Sequence, residues 1–270
     1  MRATFENNWK LIQEDARKIL SASENELYSF DLIHNLYDKA ILQQASVIDS
    51  LSGLLASKLY SQEVPAQTLN KLFLDVLGNS SESQKVIYLD LAAIVERDPA
   101  ADRKMINPLL FFKGFHALQL HRIAHWLWNK QEKAAAFFLQ SRSSLVFSVD
   151  IHPAAKIGSG ILIDHATGIV IGETAVVGNN VSMLHGVTLG GTGKHGGDRH
   201  PKIGDGVQIG AGAKILGNIK VGEGSKVAAE SVVLTDVPAH TTVAGVPARV
   251  VGTPRTQNPG KTMEEPDYEI

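Results

Sequence analysis

Residues 151–187 read IHPAAKIGSGILIDHATGIVIGETAVVGNNVSMLHGV, and residues 203–233 read IGDGVQIGAGAKILGNIKVGEGSKVAAESVV. In the first stretch Ile151, Ile157, Ile163, Ile169, Ala175, Val181 and Val187 fall six apart, and in the second so do Ile203, Ile209, Ile215, Val221, Val227 and Val233. All but Ala175 are β-branched, whereas ordinary composition puts Ile or Val at roughly one position in eight. A period of six matches neither the 3.6 residues of a helical turn nor a long alternating strand. Glycine or another small residue breaks nearly every block, as in Ile157-Gly158, Ile203-Gly204 and Val221-Gly222, so each block is a short strand and a turn. Hexapeptide repeats of this kind predict a parallel β-helix, in which no coil buries its apolar residue alone and each is stabilised by its neighbours.

The period fails between Val187 and Ile203, because sixteen residues are not a multiple of six. The segment TLGGTGKHGGDRHPK must therefore leave the coil. Its five glycines, two histidines, two lysines and arginine suit a flap that contacts a ligand. A tolerated surface insertion is the alternative, since loops accept insertions at small entropic cost.

Outward from the repeats the composition changes at Phe147. Only Gly53, Gly78 and Gly114 of the 24 glycines precede it, and no Phe or Trp follows it. The first part reads as helices: Phe5, Trp9, Leu11, Ile12, Ala16, Ile19 and Leu20 recur at mixed spacings of three and four, as do Leu69, Leu72, Phe73, Val76 and Leu77. Pro65, the Gly78-Asn79-Ser80-Ser81 run and Asp98-Pro99 punctuate it. The expected class is α+β, with a helical domain over 1–148, a β-helix with an extruded loop over 149–252, and a flexible acidic tail over 253–270. In the last ten positions four acids stand against one lysine.

Composition excludes several functions. A net charge of −2, from 26 basic and 28 acidic residues, gives no global field toward nucleic acid or an anionic membrane. Cysteine is absent, so thiolate nucleophiles, Cys-ligated zinc, iron–sulfur clusters and disulfides are excluded. The N-terminus mixes charge into every turn and lacks a signal-peptide core, which makes a cytoplasmic location the default. The most apolar stretch, Leu109–Trp128, carries Lys113, His116, Gln119, His121, Arg122 and His125, too polar to span a bilayer. GGTGKHGG is not a P-loop: the motif's first glycine falls on Thr188, and the Ser or Thr required after Lys194 is His195. HRIAH lacks the Glu of a zinc-protease helix.

VDIHPAAKIG, IDHATGIVIGETA, VTLGGTGKHGGDRHPKIG, IGAGAKILGN and AGVPARVVG, joined by RDPAAD and KGFHALQLHRIAHWLW in the helical part, together resemble the serine acetyltransferases of cysteine biosynthesis. The repeats and AGVPA are shared by many acyltransferases of the left-handed β-helix class. Asp-His-Ala-Thr-Gly combined with Gly-Gly-Asp-Arg-His-Pro is the more specific part. The resemblance implies acetyl transfer from acetyl-CoA to the hydroxyl of L-serine, with no permanently bound cofactor or metal. A serine hydroxyl is a weak nucleophile at neutral pH, so a general base must take its proton, and the pKa of histidine suits the task. His165 is the candidate. The resemblance assigns to Asp150 the orientation of that imidazole; with about eighteen residues per coil, Asp150 would sit three short of lying directly beneath His165. It points to Asp98 and Asp164 for the substrate ammonium, and to Arg199 and His200 for its carboxylate. Asp98 before Pro99 also fits a plain N-cap, and Asp164 a turn aspartate.

An extended pantetheine suits a groove where small residues let the backbone come close. By resemblance it runs along Gly191, Thr192, Ala211, Lys226 and Ala229, with Lys226 and Arg249 as candidates for the CoA phosphates. No aromatic ring between Phe147 and Tyr268 is available to stack on adenine. The resemblance further implies L-cysteine as a feedback inhibitor, trimers or pairs of trimers, and capture of the C-terminal Ile270 by O-acetylserine sulfhydrylase, although Asp267-Tyr268-Glu269 departs from the family's Asp-Gly tail. Three rivals stand beside this reading. An acetyltransferase for a sugar or other hydroxyl acceptor would share His165 and the groove. A zinc enzyme like the gamma carbonic anhydrases would use the histidines at 165, 185, 195 and 200, but at a different spacing. A non-catalytic β-helical scaffold is the third.

Overall fold

The computed structural model describes residues 2–23, 29–79, 81–193 and 196–263. Helices α1 (Arg2–Ser23), α2 (Ser29–Tyr37, continued by a π-helical turn Asp38–Leu42), α3 (Val47–Leu59), α4 (Ala66–Gly78), α5 (Ser81–Arg97), α6 (Ile106–Phe111), α7 (Lys113–Asn129) and α8 (Lys133–Phe147) come first. Ser148, in a left-handed conformation, ends α8, and the solenoid begins at Val149. Among the described residues no helix is long and apolar enough to cross a membrane.

The solenoid is a left-handed β-helix with three parallel faces. The first face holds β1 (Val149–Ile151), β4 (Ile169–Ile171), β7 (Thr188–Gly190), β10 (Lys214–Leu216) and β13 (Val232–Val233). The second holds β2 (Lys156–Ile157), β5 (Val176–Val177), β8 (Lys202–Ile203) and β11 (Lys220–Val221). The third holds β3 (Leu162–Ile163), β6 (Ser182–Met183), β9 (Gln208–Ile209), β12 (Lys226–Val227), β14 (Thr242–Gly245) and the antiparallel β15 (Ala248–Gly252). Of the thirteen hexad residues all point inward and are buried except Ile157, which is half-buried. Burying an aliphatic side chain contributes about 1.5–3 kcal/mol, and register alignment lets each one rest on the coil below.

Eighteen residues per coil is the regular spacing, as in Val170 with Thr188 and Gln208 with Lys226, and the last coil shortens to sixteen where Lys226 pairs with Thr242. The first coil takes twenty: Val149 pairs with Ile169 and Ile163 with Met183. The surplus lies in the turn between β3 and β4. Seven steps separate Ile163 from Val170, against five between their partners Met183 and Thr188. The extruded loop adds eight more, since Val176 pairs with Lys202.

A buried ionic network docks the helices on the first coil. Asp90, fully buried on α5, accepts from Gln119 Nε2 (2.8 Å), Arg122 Nη2 (2.8 Å) and the Ile161 amide (3.0 Å). Arg122 also donates to the Gly158 carbonyl (2.7 Å), and Arg97 donates to Gly160 O and Ser182 Oγ. The stretch after Gly252, expected to be flexible, is seated as far as Met263. Helix α9 (Pro259–Thr262) packs on β6 and β9, Ser182 Oγ donates to Gly260 O, and a Cβ on Gly260 would stand 2.6 Å from Asn180 O and Val207 O. A lone glycine at the point of closest approach thus holds chain whose composition reads as disordered. Ile270 lies outside the described residues.

Two core histidines give the helical part an acid sensitivity. His116 bonds the Leu109 carbonyl at 2.8 Å, and burial pushes its pKa down to about 4; burial, then His125 and Arg122, pushes that of His121 down to about 3. Below about pH 6.5 the unfolded chain takes up protons that the fold refuses, so stability is expected to fall as pH drops from there toward 4, by up to about 1.4 kcal/mol per pH unit for each group. Urea-unfolding midpoints at pH 7 and 5 measure this. Replacing His116 with Gln should flatten the dependence.

Candidate active site

Each turn of a β-helix stacks on the equivalent turn of the next coil, so residues far apart in sequence form columns along the three edges. Where the third face meets the first, the column contains His165, His185, Ala211 and Ala229, as the registers of Ile163 with Met183, Met183 with Ile209, and Gln208 with Lys226 require. The enlarged β3–β4 turn, Asp164 to Gly168, pushes His165 outward at this edge; its side chain is 70% exposed. His165 (φ 55°) and Ala166 (φ 61°) both take the left-handed conformation that non-glycine residues avoid. The turn is closed by Ala166 N–H to Asp164 O (2.6 Å) and Thr167 N–H to His165 O (2.7 Å). It is tied to its neighbours by Gly168 N–H to Ser148 O and Gly186 N–H to Thr167 O, both 2.8 Å. Asp164 Oδ2 lies 3.6 Å from His165 Nε2, and the His185 ring meets the His165 ring edge-on with centroids 5.7 Å apart.

Asp150 is elsewhere in the coil. It points outward from β1, beneath Val170, and its Oδ1 accepts from Gln140 Nε2 at 2.7 Å. Among the described contacts none joins it to His165. The two residues are fifteen apart, less than one twenty-residue coil, and the residue stacked on Asp150 in the next coil is Val170. Asp98 caps the 3₁₀ turn Pro99–Ala101 through the Ala100 amide (2.8 Å), the arrangement expected of an Asp before Pro.

The edge between the first and second faces carries the other group. Thr174 Oγ1 accepts the backbone N–H of both Arg199 (3.0 Å) and His200 (3.1 Å), fixing the return of the extruded loop. The Thr174 amide donates to His200 Nδ1 at 3.1 Å, which leaves the proton of the neutral ring on Nε2. Burial is the main cause of a lowered His200 pKa, with the Arg199 charge adding to it. Gly172 makes room for this ring, since a Cβ there would stand 2.0 Å from it. Arg199 Nη2 donates to Glu173 Oε2 at 2.7 Å, and that hydrogen bond holds the Glu173 carboxyl below its ordinary range. Lys202 Nζ donates to Asp198 Oδ1, His200 O and Thr174 O. Glu173, Thr174 and Lys202 were invisible to spacing arguments, because Glu173 and Thr174 meet Arg199 and His200 only when the loop's eight extra residues are added to a coil.

Gly191 lies at the loop base against Arg199 and His200, and Thr192 lies against Gly217, on the same edge. Lys226 points outward from the middle of the third face at 9% exposure, between Gln208 and Thr242. Among the described residues no group of three or more His, Cys, Asp or Glu is arranged to hold a metal ion. The two clusters thus sit on different edges of one prism, with the outer strip of the first face, Asp150, Val170, Thr188, Lys214 and Val232, running between them.

A family model described as "Serine acetyltransferase, N-terminal" matches residues 9–120, and one for the bacterial transferase hexapeptide matches 200–235. The serine acetyltransferase of Escherichia coli K12 is 52% identical over 257 residues, 95% of this chain and 91% of its own. The crystal structure of the Brucella abortus serine acetyltransferase in complex with coenzyme A superposes with a TM-score of 0.87 at 49% identity, covering 93% of this chain and 97% of that one. Soybean serine acetyltransferase complexed with serine superposes with a TM-score of 0.86 at 51% identity, covering 92% and 98%.

Proposed function

The chain belongs to the serine acetyltransferase family, and from that membership we propose how its residues divide the work. The enzyme transfers the acetyl group of acetyl-CoA to the side-chain hydroxyl of L-serine, giving O-acetyl-L-serine and CoA, a step of cysteine biosynthesis. His165 takes the hydroxyl proton as the oxygen attacks the thioester carbonyl, and later protonates the departing thiolate. The enlarged turn supports this reading most directly, because it lifts this imidazole out of the coil beside a carboxylate and in line with the small residues Ala211 and Ala229. Asp150 orients the ring. Its Oδ1 is engaged by Gln140, and Oδ2 serves as acceptor for the imidazole N–H when the exposed ring swings over the first face.

Asp164, with Asp98, receives the serine ammonium, while Arg199 and His200 receive its carboxylate. Asp164 and the Arg199–His200 pair occupy different edges of one prism, so a complete site needs the loop edge of one copy beside the His165 edge of another. Threefold packing of β-helices closes such a ring, because one heterologous contact repeated by rotation satisfies every copy, and pairing of two rings through the helices makes the hexamer. Pantetheine then runs along Ala211 and Ala229, with Gly191 and Thr192 approaching from the neighbouring loop. We place the enzyme in the cytoplasm.

Replacing His165 with Ala is expected to lower kcat by two to four decades with less change in apparent acetyl-CoA affinity, and Asp150→Asn by a smaller factor. Steady-state kinetics checks this, and activity above a tenth of the parent would remove His165 from the mechanism. L-cysteine presents the same ammonium and carboxylate as serine, which makes it a competitive feedback inhibitor in this reading. Arg199→Ala should therefore weaken serine use and cysteine inhibition together; undiminished inhibition would mean separate sites. The tail's terminal Ile270 offers a carboxylate for backbone amides and a side chain for a pocket on O-acetylserine sulfhydrylase. Deleting it should abolish co-elution of the two proteins while leaving turnover intact.

A further inference from the structure

We propose that Lys113 and Gly114, in the first turn of α7, are positioning residues that hold the β3–β4 turn in the conformation presenting His165; this rests on the reading of His165 as the base. Backbone strain is the starting point. Two consecutive non-glycine residues in the left-handed region cost energy that surrounding contacts must offset. On the solenoid side those contacts are the amide bonds of Gly168 and Gly186. On the other side they come from α7. Lys113 Nζ donates to Thr167 Oγ1 at 2.5 Å, 54 residues away in sequence. Gly114 presses on the turn so closely that a Cβ would stand 2.0 Å from Ile163 O and 3.3 Å from the buried Ala166 methyl. The first turn of a 17-residue helix thus forms a wall behind the five-residue turn. The helix itself is tied to α5 by the Arg122–Asp90 pair and to the first coil by the bond from Arg122 to Gly158 O. Losing the Lys113 bond frees Thr167, whose amide closes on His165 O, and the imidazole samples orientations away from the attacking hydroxyl. Displacements near 1 Å are enough to cost rate without costing affinity.

The test is a mutant cycle on the full-length enzyme. Lys113→Met keeps the apolar stem and removes the donor; Thr167→Val removes the acceptor at constant shape. Each should lower kcat about fivefold with the KM values for serine and acetyl-CoA within twofold, the double variant should be no slower than either single, and Lys113→Arg should restore most of the rate. Gly114→Ala should lower kcat at least tenfold. Full kcat in either single variant, losses that multiply in the double variant, failure of Lys113→Arg to rescue, or full kcat in Gly114→Ala would each overturn the proposal. A fall in kcat that disappears when the variants are assayed well below their melting temperatures would also overturn it, as a purely structural effect. Lys113→Met in the His165→Ala background should leave the residual rate unchanged, and further loss there overturns positioning through His165. Failure of the base reading shows separately, as high activity of the His165→Ala enzyme itself.

Discussion

Stacking of inward aliphatic side chains in register is the constraint on which the rest of this protein depends. A two- or three-residue strand has almost no stability of its own, and its apolar residue is covered only when the next coil places another directly above it. The hexad residues and their neighbours Val149, Leu189 and Val243 make that contact continuous through the prism. Because the core tolerates only turns that return each strand to register, an extra residue must leave at an edge. The two places where the chain exceeds eighteen residues per coil, the β3–β4 turn and the loop before β8, are the two places where candidate catalytic chemistry gathers. A rigid repeat thus converts insertions into functional projections.

A stack of coils leaves its first coil open, and the helices close it with polar as well as apolar contacts. Asp90, Arg122 and Arg97 bind carbonyls and an amide at the turns of that coil, where a β-helix presents unpaired backbone groups, and Gln119 braces Asp90 from α7. A buried pair of this kind is strongly position-specific, since removing one partner strands the other charge away from water. The consequence reaches the site. The network fixes α7, and the start of α7 abuts the turn that carries His165.

The electrostatics of the two edges differ, and the difference suits their proposed roles. His165 is exposed beside Asp164, in a setting where a ring can turn, take a proton and return it. Arg199 and His200 are held by Thr174, Glu173 and Lys202, so that little motion is left to the groups meant to grip a fixed carboxylate. Paired Glu173 keeps Arg199 oriented without neutralising every donor, because a guanidinium carries five N–H groups.

Much of this was legible in the sequence. The period of six named the inward residues almost without error, because burial in a β-helix is decided by local spacing alone. The broken period marked the loop, and the change in glycine and aromatic content at Phe147 fell next to the helix-to-strand transition. What the sequence could not decide depends on distance through space. Ile163 and Ile169 keep the hexad although two extra residues lie in the coil, so the period hid the enlarged turn that carries His165. Glu173 and Thr174 became partners of Arg199 and His200 only once the loop length was added to the coil. Lys226 reads like an exposed lysine, yet its strand position on the third face buries it. Residues 253–263 look unstructured in composition, but Gly260 fits where no other residue would, and only packing against Asn180 and Val207 reveals that. Periodicity records which way a side chain points; which residues meet is set by coil length and by the surfaces that close over them.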